Sequence, residues 1–126
     1  MKRVHIIDDE ESLLEICGIV LDAAGYVIIV SHGAHNGLRD LKRSKPDLIL
    51  LDWVMPDMNG GKVVKKIKAD SETAAIPVLM MSALPEIQAE AHILGTEGFI
   101  QKPFSAEQLV REIGTIIECH KKKLAA

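Results

Sequence analysis

The chain has 126 residues, enough for one domain that buries a sizeable core without disulfide or metal staples. Hydrophobic residues make up 48%, yet only Tyr26, Trp53, Phe99 and Phe104 are aromatic, so the core is aliphatic, as suits helices packed on a parallel sheet. The net charge of −3 argues against a nucleic-acid or anionic-membrane partner, since both require a concentrated positive field.

Met1-Lys2-Arg3 leads directly into a short apolar strand, Val4 to Ile7, with no signal-peptide pattern. No apolar run approaches membrane-spanning length, and the expected location is cytoplasmic. The strand stops on Asp8-Asp9, and Glu10-Glu11 suit a helix's first turn. Leu13, Leu14, Ile16, Cys17, Val20, Leu21 and Ala24 then recur at helical spacing, with Gly25 as the stop. Cys17 falls on this stripe, which predicts a buried free thiol rather than a disulfide to Cys119.

Tyr26 to Val30 reads as a second strand, Ser31, Gly33 and Asn36 as a loop, and Leu38 and Leu41 as a short helix. His32 and His35 lie three apart in that loop and read as a solvated pair rather than a metal site. After the Lys45-Pro46-Asp47 turn comes the most apolar strand, Leu48-Ile49-Leu50-Leu51, which surfaces on Asp52. Pro56 and Gly60 hold the next loop open before a helix carrying Val63, Val64 and Ile67. Ile76 to Met81 forms a fourth strand ending on Ser82. A helix over 85–94 is followed by the strand Phe99-Ile100-Gln101, which Lys102 ends and Pro103 follows. Ser105 caps a last helix bearing Leu109, Val110, Ile113, Ile116 and Ile117, and Lys121 to Lys123 complement its dipole.

Five β-α alternations predict an α/β fold, a doubly wound parallel sheet with helices on both faces. Residues 1–126 are then one domain. In such a sheet the carboxyl ends of the strands share one edge, where ligands bind. That topology gathers Asp8, Asp9, Asp52, Ser82 and Lys102. Three neighbouring carboxylates repel one another, and a hard divalent cation with oxygen ligands, Mg²⁺ or Mn²⁺, resolves the repulsion. With an ammonium and a hydroxyl beside them, these are the parts of a phosphoryl-transfer site, in which Asp52 can act as nucleophile and form an aspartyl phosphate. The chain carries no Walker-type phosphate loop and no nucleophile elbow.

The whole chain resembles the receiver domains of two-component response regulators. The matching pieces are Asp8-Asp9, Asp52-x-x-Met55-Pro56-x-Met58-x-Gly60, Met81-Ser82-Ala83 and Lys102-Pro103-Phe104, in this order and spacing. The resemblance implies a five-stranded parallel sheet of order 2-1-3-4-5 with five helices. It implies Asp52 as phosphoacceptor from a phosphohistidine on a histidine kinase or phosphotransfer protein. Mg²⁺ would be held by Asp8, Asp9, Asp52 and the backbone carbonyl of Val54. Lys102 would pair with the carboxylate or phosphate, and the Lys102–Pro103 peptide would be cis. Ser82 and Phe99 would be the switch, reshaping the surface of the fourth helix, fifth strand and fifth helix, where a downstream protein docks. On this reading the protein has no output domain, catalyses only its own phosphorylation and dephosphorylation, and is a monomer or a phosphorylation-dependent dimer. The alternatives are a Mg²⁺-dependent phosphatase with an aspartyl nucleophile, which would want an acid where Val54 stands, and a pseudo-receiver that never meets phosphate.

Overall fold

A computed structural model describes residues 1–125. Among these the chain forms five strands and five helices in strict alternation: β1 (Arg3–Asp8), α1 (Glu11–Ala23), β2 (Val27–His32), α2 (Ala34–Ser44), β3 (Leu48–Asp52), α3 (Gly60–Ala69), β4 (Val78–Ser82), α4 (Ile87–Ile93), β5 (Gly98–Gln101) and α5 (Ala106–Ala125). All neighbours are parallel, in the order β2-β1-β3-β4-β5.

The three central strands read as aliphatic runs because both of their faces are covered. Every residue of β3 and β4 is buried. Alternate side chains feed two cores. Val4, Ile6, Leu48, Leu50, Leu79 and Met81 pack with Leu14, Cys17 and Leu21 of α1 and Leu109, Ile113 and Ile116 of α5. Ile7, Ile49, Leu51, Val78 and Met80 pack with α2, α3 and α4 on the opposite face. Cys17 is buried and free, and Cys119 is exposed and free.

Several boundaries differ from the sequence expectation. β2 begins at Val27 and runs through Ser31 to His32, because Arg3 to Asp8 supply pairing partners along that whole length. Asn36 belongs to α2, which is a full 11 residues. Its Leu38 and Leu41 already gave the apolar face; the polar residues between them hid its length. Ile76 and Pro77 lie before β4, although the Pro77 carbonyl accepts from Ile49 N at 2.9 Å. α4 starts at Ile87 rather than Pro85, and β5 starts one residue earlier, at Gly98, and ends at Gln101 with Lys102 directly after it. At α5, Ser105 Oγ accepts from Gln108 N (3.1 Å) while Gln108 Oε1 accepts from Ser105 N (3.0 Å), a reciprocal capping box.

One polar cluster interrupts the core between β1, β2 and α2. His5 is fully buried in a strand that otherwise reads as apolar. Its Nδ1 lies 2.7 Å from Ser44 Oγ and its Nε2 lies 2.7 Å from Ser31 Oγ. Ser31 in turn donates to Asp40 Oδ2 at 2.8 Å. With the Ser31 proton committed to Asp40, His5 Nε2 is the donor to Ser31, and Nδ1 accepts from Ser44. Burial lowers the His5 pKa from 6.5 to about 4, so the ring is neutral near pH 7.

Candidate functional site

The parallel register brings the ends of β1, β3, β4 and β5 to one edge. Asp52 is level with Met81, and Ser82 with Gln101. The pairing runs one residue past the strands, through Trp53 N to Met81 O (2.9 Å) and Lys102 N to Ser82 O (2.8 Å). The loops carrying the functional side chains therefore leave the sheet from fixed points.

Gly60 closes the loop after Asp52. Its N–H donates to Trp53 O at 2.7 Å, and a Cβ there would stand 2.6 Å from the Asp52 carbonyl oxygen. Only glycine allows that approach. Asn59 caps α3 by accepting from Lys62 N at 2.9 Å. The Trp53 ring lies against Gly61, where a Cβ would be 2.8 Å from it.

Asp8, Asp9 and Asp52 each present a carboxylate oxygen, and these oxygens lie within 4.8 Å of one another. Asp8 is 0% exposed and Asp52 4%; Asp9 is half-buried. Asp8 Oδ1 accepts from Glu10 N at 2.9 Å. Asp8 Oδ2 is buried with no hydrogen-bond partner among the described residues, although the Lys102 ammonium stands 3.5 Å away. Lys102 Nζ donates to Asp52 Oδ1 at 2.9 Å. The Lys102–Pro103 peptide is cis. The Ser82 side chain is buried, and its Oγ accepts from Leu84 N at 3.0 Å, which leaves the hydroxyl proton free to be donated.

The electrostatics follow from burying three acids against one base. Burial pushes the Asp8 carboxyl up to about 6, over the opposing pull of the Glu10 N–H, and the Asp52 charge adds to the rise. Burial also raises Asp52, against the hydrogen bond and charge of Lys102. For Lys102, burial disfavours the charge, but the hydrogen bond and charge of Asp52 and the charge of Asp8 outweigh it, and its pKa rises. The site is short of positive charge. An unbonded buried carboxylate oxygen, two further carboxylates and a hard all-oxygen donor set together suit a divalent cation such as Mg²⁺.

The structure thus brings Asp8, Asp9, Asp52, Ser82 and Lys102 together. Val54 and Leu84, each two residues past a site residue (Asp52 and Ser82), are 62% and 45% exposed, and both are apolar. Phe99 stands apart from the carboxylates. It is half-buried on β5, in register with Met80, and packs on the core shared with α2, α3 and α4. His32 and His35 are both exposed, and His35 Nδ1 lies 2.8 Å from Asp57 Oδ2. Sequence reasoning overlooked Asp57. Its position between Pro56 and Met58 carries no spacing signal toward residues more than twenty positions earlier.

Residues 4–114 match the family model described as response regulator receiver domain. The chain is 32% identical over 118 residues to the phosphate regulon transcriptional regulatory protein PhoB of Pseudomonas aeruginosa, covering 92% of this chain and 52% of that protein. It therefore spans about half the length of the curated relatives it matches. The chemotaxis response regulator CheY4 of Vibrio cholerae superposes with a TM-score of 0.86 at 28% identity, covering 92% of this chain and 98% of that one. A CheY-like response regulator receiver domain protein from Methanospirillum hungatei shares the fold with a TM-score of 0.90 at 23% identity, over 98% of both chains.

Proposed function

This chain belongs to the response regulator receiver domain family of two-component signal transduction, and from that premise we propose that Asp52 is its phosphoacceptor, with Mg²⁺ as the required ion. The observation that carries the proposal is the 2.9 Å bond from Lys102 Nζ to a buried Asp52 carboxylate, flanked by two further acids and a buried serine whose hydroxyl proton is free.

Asp8, Asp9, Asp52 and the Val54 carbonyl are the ligands we assign to Mg²⁺. When bound, the ion neutralises carboxylate and phosphoryl oxygens. The rest of the chemistry belongs to side chains. Lys102 fixes the orientation of the Asp52 carboxylate. A carboxylate oxygen of Asp52 attacks phosphorus in line with a phosphohistidine, the P–N bond breaks as the P–O bond forms, and the imidazole leaves with the bonding pair. The Ser82 hydroxyl donates to a phosphoryl oxygen, and Lys102 supplies the remaining positive charge at the transferred group. Val54 supports the phosphoacceptor over a turnover phosphatase, since the position two past the nucleophile holds no acid that could protonate a leaving group.

The donor is a histidine kinase or a histidine phosphotransfer protein, and the output is a protein that reads the surface of α4, β5 and α5, on which Phe99 sits. On this reading the chain catalyses only its own phosphorylation and dephosphorylation. The test is intact mass after incubation with Mg²⁺ and acetyl phosphate. One phosphoryl group on the wild type, absent with chelator and in Asp52→Asn, is the expected result. Steady phosphate release without accumulation would favour a phosphatase. Mg²⁺ binding without modification by either acetyl phosphate or a phosphorylated histidine protein would favour a pseudo-receiver.

A further inference from the structure

The loop that leaves Asp52 is tied at its middle to a different element. Asp57, five residues past Asp52, reaches the start of α2. Its carboxylate accepts from Ala34 N at 3.2 Å, from His35 N at 2.9 Å and from His35 Nδ1 at 2.8 Å. These bonds span 22 and 23 positions of sequence.

The helix supplies no cap of its own. The residue before α2 is Gly33, at φ +94°, which has no side chain to receive the first N–H groups. A helix start leaves such donors unsatisfied and carries partial positive charge, so it holds an anion well. The His35 backbone N–H, with that of Ala34 and the His35 ring adding to it, draws the Asp57 carboxyl down to about 2. Space agrees with this: a Cβ on Gly33 would come to 3.4 Å from Asp57 Oδ2.

The clamp bears on the site because of what lies between its ends. The loop is anchored behind by Gly60 N to Trp53 O and by the Asn59 cap of α3. Between those anchors and Asp57 lies Val54, whose side chain is 62% exposed. Met55 is buried in the core shared with α2, α3 and α4, and Asp57 adds the hydrogen bonds that tie the outer part of that span to α2.

We propose that Asp57 is a positioning residue: by capping α2 from the loop after Asp52, it holds the Val54 backbone where the acidic site needs a carbonyl ligand. The proposal rests on the phosphoacceptor reading for its use of Mg²⁺, but the clamp itself stands on the three bonds. By reciprocity, an ion held at the site also steadies the first turn of α2.

The experiment compares wild type, Asp57→Ala and Asp57→Asn by two readouts: amide hydrogen exchange without metal, and Mg²⁺ affinity followed by Trp53 fluorescence. In Asp57→Ala the amides of residues 53–55, 57 and 58 and of the first turn of α2 should exchange faster. Its Mg²⁺ affinity should fall about tenfold, the scale of losing a group that orients a metal ligand. Asp57→Asn, which keeps one acceptor oxygen, should fall between, and it carries the comparison if the alanine variant folds poorly. A lower melting temperature with Mg²⁺ affinity within twofold of wild type would overturn the proposal, leaving Asp57 as a helix cap only. Unchanged exchange over residues 53–58 would overturn it too. Failure of the wild type to bind Mg²⁺, with faster exchange in the variant, would overturn the phosphoacceptor reading and leave the clamp standing.

Discussion

Asp8 carries a stability penalty that its replacement should remove. The carboxyl is fully buried, one oxygen has no hydrogen-bond partner among the described residues, and burial lifts its pKa from the ordinary 3.8 to about 6. Between those values the folded protein binds more protons than the unfolded chain. A raised acid therefore favours the fold below pH 4 and progressively ceases to as pH rises through 6. At 1.36 kcal/mol per pH unit, a rise of that size costs the metal-free protein about 3 kcal/mol at pH 7. Asp8→Asn stays neutral at every pH, and the Glu10 N–H keeps an acceptor in the amide oxygen. In chelator at pH 7 the variant should be more stable by up to about 3 kcal/mol, close to 10 °C in melting temperature for a domain of this size. The gap should close toward pH 4. Wild-type melting alone does not isolate the effect, because His5, with its pKa lowered to about 4, loses stability over nearly the same range as pH falls from 6.5. The quantity to read is the difference between variant and wild type by circular dichroism, from pH 4 to 8. Saturating Mg²⁺ should reverse the order, since only the wild type has the full carboxylate set. A variant equal to or less stable than wild type in chelator at pH 7 would refute the reasoning, as would a gap that persists unchanged at pH 4.

Three other outcomes follow from single features. His5→Leu leaves Ser31 and Ser44 without their buried partner and should cost about 1–3 kcal/mol at pH 7, narrowing toward pH 4 as the wild type loses its neutral imidazole; urea midpoints at the two pH values test this. Lys45 holds the left-handed conformation at the end of α2, at φ +42°, so Lys45→Gly should stabilise by about 1 kcal/mol in the same assay. The apolar rim of Val54 and Leu84 positions attacking water poorly, so Val54→Asn with Leu84→Lys should shorten the phosphoryl half-life several-fold, measured by mass after the donor is removed; an unchanged half-life would count against the rim.

The sheet and the acid cluster were legible because parallel strands, buried on both faces, print as unbroken aliphatic runs, and the chemistry follows each run directly. Asp52 after Leu48–Leu51 and Ser82 after Val78–Met81 are read by counting to the end of an apolar segment. β2 was less clear. It is an edge strand with a solvated side, and its last residues, Ser31 and His32, look like loop until β1 supplies their partners. His5 and Asp57 stayed hidden for a different reason. Each is defined by bonds to residues more than twenty positions away, and neither sits at a spacing that local periodicity can mark. Phe99 entered only through family resemblance, and its half-buried place on β5 follows from register rather than from any pattern around it.

On the proposed reading, one particular carboxylate of the three, that of Asp52, becomes the acyl phosphate. Treating the Mg²⁺- and acetyl-phosphate-loaded protein with labelled borohydride converts an aspartyl phosphate to labelled homoserine, and peptide sequencing then locates it. The expected result is label at position 52 alone. Label at Asp8 or Asp9, or none in a protein that demonstrably binds Mg²⁺ and has met a phosphorylated histidine donor, would contradict it.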